Sequence, residues 1–131
     1  VTVKLMPMIY LAEDDAEMRA LLTRWLADEG YRVRQAACGT ELVSLIAEAW
    51  LSELSEPRPA LVVTDHRMPE FEGLSVVKAV HFVDDSLPFV LITGFGSAGL
   101  RRETARLGPV TVLDKPFPRE RLLDAIEDVL S

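Results

Sequence analysis

Five times along the chain a short apolar run gives way to a stretch whose apolar residues recur every three or four positions, and no other feature limits the fold so tightly. Met8 to Ala12 is the first such run, and Glu13-Asp14-Asp15 breaks it. Beyond it Met18, Leu21, Leu22, Trp25 and Leu26 fall at i, i+3, i+4, i+7 and i+8, one buried stripe of a helix that Gly30 is placed to end. Tyr31 to Gln35 alternates apolar residues with arginine and predicts a short strand, which Ala36-Ala37-Cys38-Gly39 interrupts. Leu42, Leu45, Ile46, Ala49 and Trp50 repeat the helical spacing, and both tryptophans are expected in the core. A polar, proline-bearing loop follows from Ser52 to Pro59. Ala60 to Thr64 and Phe89 to Thr93 are continuous apolar and β-branched runs, the pattern of parallel strands buried on both faces. Between them Val76, Val77 and Val80 predict a third helix. A glycine-bearing loop (Gly94, Gly96, Gly99) leads to a fourth helix reaching about Leu107, and Val110 to Leu113 predicts the fifth strand. Pro118 suits the first position of a last helix whose apolar face is Leu122, Leu123, Ile126, Val129 and Leu130.

The result is an α/β chain of (βα)5 order. Strands separated by helices imply a parallel five-stranded sheet, doubly wound by right-handed crossovers, with helices on both faces. At 131 residues the chain fits one domain, 1–131, with its core at about 8–130. A composition 49% hydrophobic with both charge signs present is that of a globular chain. The net charge of -7 opposes direct binding to nucleic acid, which depends on lysine and arginine neutralising phosphates. No apolar run approaches the ~18 residues that span a bilayer, and no leader precedes the first strand, so membrane residence is not expected. The single Cys38 has no partner for an internal disulfide and fits a reducing, cytoplasmic setting.

In such sheets ligands gather at the carboxyl ends of the strands, where the strand order reverses. Strand one ends in Glu13, Asp14 and Asp15, strand three in Asp65, strand four in Thr93, and strand five in Asp114 and Lys115. Three carboxylates converging within ~5 Å repel by roughly 3 kcal/mol per pair at an effective dielectric near 20, so the cluster calls for a cation. Oxygen donors with no histidine or thiolate at the rim select a hard ion, and Mg2+ takes a few carboxylates together with a phosphate oxygen. An aspartate beside such an ion can attack a phosphoryl group, while a lysine and a hydroxyl bind its equatorial oxygens. Asp65, Lys115 and Thr93 supply those three roles.

With these strings in place the sequence resembles the response-regulator receiver domains of two-component signalling. They are Glu13-Asp14-Asp15, Asp65-His66-Arg67-Met68-Pro69, Ile92-Thr93-Gly94 and Asp114-Lys115-Pro116-Phe117, in family order across about Met8 to Leu130. The resemblance implies a flavodoxin-like fold and Mg2+-dependent transfer of a phosphoryl group to Asp65 from a phosphohistidine on a sensor histidine kinase or histidine phosphotransfer protein. It implies Glu13, Asp14, Asp65 and the backbone carbonyl of Arg67 as metal ligands, Thr93 and Lys115 as phosphoryl contacts, and a cis peptide before Pro116. Such a domain catalyses its own phosphorylation and dephosphorylation and is a switch rather than a turnover enzyme. The switch is expected to change the surface beside helix four for partner binding or homodimerisation. Separately, charge is uneven between the last two helices, with Arg101, Arg102 and Arg106 on the fourth and Glu120, Asp124, Glu127 and Asp128 on the fifth, which either pair across the axis of a phosphorylation-dependent homodimer or are simply solvated faces.

Two other functions share features with this one. A receiver-like module that binds partners without being phosphorylated would keep the fold, but every chemical position here holds a competent residue. A phosphatase of the haloacid-dehalogenase type also forms an aspartyl-phosphate, yet it needs an acid two residues after the nucleophile, where this chain has Arg67. Asp15 is expected to cap the first helix, and His66 and His81 to serve packing or the surface. Arg67 and Phe95 match the two variable positions that in the family flank the phosphoryl group and influence its lifetime, and a long cation and a bulky ring there are expected to screen it from water. One departure stands out: three residues before the lysine the family usually has Tyr or Phe, and here stands Val112.

Overall fold

The computed structural model describes residues 6–52, 58–94 and 97–131. Its elements run in strict alternation: β1 (Met8–Ala12), α1 (Ala16–Asp28), β2 (Arg32–Ala36), α2 (Gly39–Leu51), β3 (Leu61–Asp65), α3 (Gly73–Val83), β4 (Phe89–Thr93), α4 (Ser97–Thr104), β5 (Val110–Asp114) and α5 (Arg119–Leu130). The five strands form one parallel sheet in the order β2-β1-β3-β4-β5. Every position of β3 and β4 is buried, as continuous apolar runs require of strands covered on both faces.

Alternation along the strands divides the core. Ile9, Leu11, Leu61, Val63, Val90 and Ile92 point to the face covered by α1 and α5, where Leu22, Leu26, Leu122 and Ile126 meet them. Tyr10, Ala12, Val62 and Phe89 point to the face covered by α2 and α3. A smaller cluster of Leu74, Leu91, Leu100 and Val112 seats α4 beside α3. Trp25 and Trp50 pack at the edges of these clusters and are only partly buried. Among the described residues no helix is long and apolar enough to cross a membrane.

Local chemistry sets the helix ends. The Asp15 side chain accepts a hydrogen bond from the Met18 N–H at 2.9 Å, which caps α1 as expected. Past its other end Gly30 adopts φ +92°, the left-handed turn that glycine makes without steric cost. Four expectations need adjustment. Leu21 is 41% exposed, because Leu22 and Leu26 take the sheet-facing arc and Leu21 falls at its edge. Helix α4 stops at Thr104 and not near Leu107: the Arg106 and Leu107 N–H groups turn to the carbonyls of Glu103 and Thr104, and Gly108 (φ +87°) and Pro109 cannot continue a helix. Gly99 lies inside α4 and not in the loop before it. Pro118, extended at ψ 160°, is the residue before α5 and not its first.

Candidate functional site

The strand order reverses between β1 and β3, so their carboxyl ends adjoin and the loops beyond them diverge to opposite faces. Ala12 pairs with Thr64 across this seam, which brings the loop after β1 beside Asp65. One carboxylate oxygen each from Glu13, Asp14 and Asp65 lies within 4.8 Å of the others. Asp65 and Glu13 are buried, and Asp14 is exposed at the mouth. Arg19 reaches back from α1 to donate to the Glu13 carbonyl at 2.8 Å, and the Glu13 N–H donates to the Ala36 carbonyl at 3.1 Å, so the acidic loop is held from both sides.

Lys115 approaches from β5. Its Nζ donates to Asp65 Oδ2 at 2.8 Å and stands 4.0 Å from Glu13 Oε2. The Lys115–Pro116 peptide is cis. The Lys115 N–H donates to the Thr93 carbonyl at 2.7 Å, which ties the end of β5 to the end of β4. Thr93 is buried there, one residue past Ile92, the partner of Asp65 across the strand pair. Arg67, on the loop after β3, donates its N–H to Asp65 Oδ1 at 3.3 Å and is exposed. Asp14, His66, Arg67, Met68, Pro69 and Glu72 line a polar hollow of about 480 Å³ next to the carboxylates. Phe95, expected to screen the phosphoryl group with Arg67, lies outside the described residues, as does Gly96.

The electrostatics follow from burial. Glu13 is 2% exposed, and among the described residues its Oε2 has no hydrogen-bond partner. Burial, together with the Asp65 carboxylate with which a protonated Glu13 would share its proton, pushes it up to about 8. Burial alone would lower Lys115, but the hydrogen bond to Asp65 and the charges of Asp65, Glu13 and Asp14 outweigh it and raise Lys115 above its ordinary value. Lys115 therefore stays a cation.

This donor set fits a hard divalent ion. Three carboxylates, with one buried Glu13 oxygen unpaired among the described residues, repel one another across the site, and a cation would offset that repulsion. Three oxygens on one octahedral ion with bonds of ~2.1 Å have at least two pairs only about 3.0 Å apart, so carboxylates now within 4.8 Å of one another would close in on a bound ion.

Two features of the site escaped the sequence reading. Gly73 opens α3 so close to the backbone of Asp65 that a methyl group there would lie 2.7 Å from the Asp65 carbonyl oxygen. Arg101 of α4 forms a 2.7 Å ion pair with Asp114, the residue before Lys115. Nothing in the local pattern signals either of them.

A family model described as "Response regulator receiver domain" matches residues 9–127. The C4-dicarboxylate transport transcriptional regulatory protein DctD of Pseudomonas aeruginosa is 32% identical over 122 residues, which are 93% of this chain and 25% of that protein. The chain thus spans a quarter of that relative. Response regulator receiver protein CpdR of Brucella abortus is 34% identical over 125 residues, 95% of this chain and 98% of that protein. Among solved structures, a response regulator receiver domain protein from Clostridium thermocellum superimposes with a TM-score of 0.84, covering 95% of this chain and 94% of that one at 21% identity, a likeness of fold.

Proposed function

The chain belongs to the response regulator receiver domain family, and from that premise we propose that residues 1–131 form one phosphoryl-accepting switch in which Asp65 is the acceptor. The observation that carries this reading is the contact of Lys115 Nζ with the buried Asp65 carboxylate at 2.8 Å, beside the acidic pair Glu13 and Asp14. The donor is a phosphohistidine on a histidine kinase or phosphotransfer protein. An Asp65 oxygen attacks phosphorus, the P–N bond breaks, and the histidine departs with its electron pair and takes up a proton. Lys115 and the Thr93 hydroxyl are the groups available to the equatorial oxygens as charge spreads over them. Glu13, Asp14, Asp65 and the Arg67 carbonyl would hold Mg2+, which supplies the charge that lets a phosphoryl group enter an acidic site.

The domain catalyses its own phosphorylation and later hydrolysis. Output runs through the α4 side of the molecule, to a partner or to a second copy. Arg101 is already paired with Asp114, so Arg102 and Arg106 are the arginines that a symmetric dimer would set against α5. Sedimentation at low and high salt, with and without beryllofluoride, tests the dimer.

Intact-mass measurement after incubation with acetyl phosphate and Mg2+ tests the switch itself. The wild-type chain gains one phosphoryl mass, and Asp65→Asn and Asp14→Asn gain none. An unchanged phosphorylated fraction in either variant would sink the assignment.

A further inference from the structure

On the reading just given, we infer that Gly39 and the Thr40–Glu70 pair are positioning residues for the metal and phosphoryl site, acting by fixing the loop between β3 and α3 from its far side. That loop walls the polar hollow that Asp14 also lines, and it is held at three places. At its base the Gly73 N–H donates to the His66 carbonyl at 2.7 Å. In its middle Met68 is buried in the core, with its sulfur 3.7 Å from the Thr64 hydroxyl. Its outer end leans on the start of α2.

There a methyl group on Gly39 would lie 2.6 Å from the Phe71 Cβ and 2.8 Å from the Phe71 carbonyl oxygen. These are atoms that no rotamer change can move aside, so any larger residue at 39 displaces the loop. The next residue, Thr40, donates its hydroxyl to the Glu70 carboxylate. Glu70 holds φ +75°, a torsion that residues with a side chain seldom adopt and keep only when their surroundings enforce it. Of the four expected metal ligands, the Arg67 carbonyl is the one that cannot re-aim by rotating a side chain. It moves only with the loop, and what fixes the loop fixes that ligand.

Gly39→Ala pushes the loop, and Thr40→Val unties it at an exposed position where the fold has little at stake. Calorimetric titration with Mg2+, the Mg2+ dependence of phosphorylation by acetyl phosphate, and thermal melting are measured for both and for the wild type. Gly39→Ala is expected to weaken Mg2+ binding about tenfold and to raise the half-saturating Mg2+ for phosphorylation equally, with the rate at saturating Mg2+ near that of wild type. Thr40→Val shifts both in the same direction by less, with an unchanged melting temperature. Wild-type Mg2+ affinity in both variants, whatever their melting temperatures, overturns the inference. A wild-type chain that neither binds Mg2+ nor takes a phosphoryl group overturns the switch beneath it, which is a separate result.

Discussion

At the scale of single residues Glu13 carries the clearest consequence. Its folded value, about 8, lies above the 4.5 of a free glutamate, so the folded chain holds this proton more tightly than the unfolded chain does. The contribution of Glu13 to stability is full below about 4.5 and is lost as pH rises through about 8. The other shifted groups act elsewhere. Asp84 and Asp114 are lowered, by Ser86 and Arg101 respectively, and their contributions are lost only as pH falls through the acid range. Tyr31 and Lys115 are raised from 10.0 and 10.5, so theirs are lost only in strong base. In metal-free buffer the urea midpoint should therefore drop between pH 5 and 8.5, and the drop should flatten in Glu13→Gln. Saturating Mg2+ should restore the wild-type midpoint at pH 8.5. Parallel pH profiles for the two proteins would refute this account. The acids at the rim were legible in the sequence because each follows a run that only a buried strand explains. The split between a buried Glu13 and an exposed Asp14 was not, since adjacent residues on a loop take their burial from the neighbours that fold over them.

At the scale of elements the sequence spoke through periodicity, and it was silent where contacts come from far along the chain. Strands β3 and β4 are continuous apolar runs, and helices α1, α2 and α5 carry stripes, so all five were legible. His81 was not. It had been expected only to pack or to lie at the surface, yet its Nδ1 is 2.7 Å from the Leu107 carbonyl and its Nε2 is 2.8 Å from the Leu87 carbonyl. One side chain of α3 thus lies between the entry to β4 and the turn after α4, within reach of either carbonyl, with its ring edge-on to Phe89 at 5.4 Å. Leu87 and Leu107 are 20 residues apart, too distant for any local pattern to link them through a third position. A neutral imidazole carries one N–H and donates to one of these carbonyls at a time, so removing the ring should cost about 1 kcal/mol. Urea denaturation of His81→Ala measures it, and a loss below about 0.5 kcal/mol would mean that water replaces the ring at both oxygens.

At the scale of the whole molecule, the proposed phosphorylation of Asp65 has an output only if it is felt at the α4 face. The resemblance sets an aromatic ring three residues before the lysine, one that would signal by changing rotamer. Val112 cannot do the equivalent: its χ1 is stiff, and it is buried against Leu74, Leu91 and Leu100 in the cluster that seats α4. Two other links join the site to α4. The Lys115 N–H to Thr93 carbonyl bond makes the ends of β4 and β5 move together, and the Arg101–Asp114 ion pair fastens α4 to the residue preceding Lys115. Gly94, directly after Thr93, is exposed, and among the described residues nothing lies within 4 Å of where a Cβ would stand, so the chain can pivot there at small cost. Phosphorylation should therefore draw Thr93 toward the phosphoryl group and shift α4 as a unit about Gly94, while the interior of β5 stays still. Amide chemical shifts with and without beryllofluoride in the presence of Mg2+ should change most from Thr93 through the first turns of α4, and little at Thr111 and Val112. A response centred on Val112, with a silent stretch from Gly94 to Gly99, would show that the signal crosses the sheet through the valine after all.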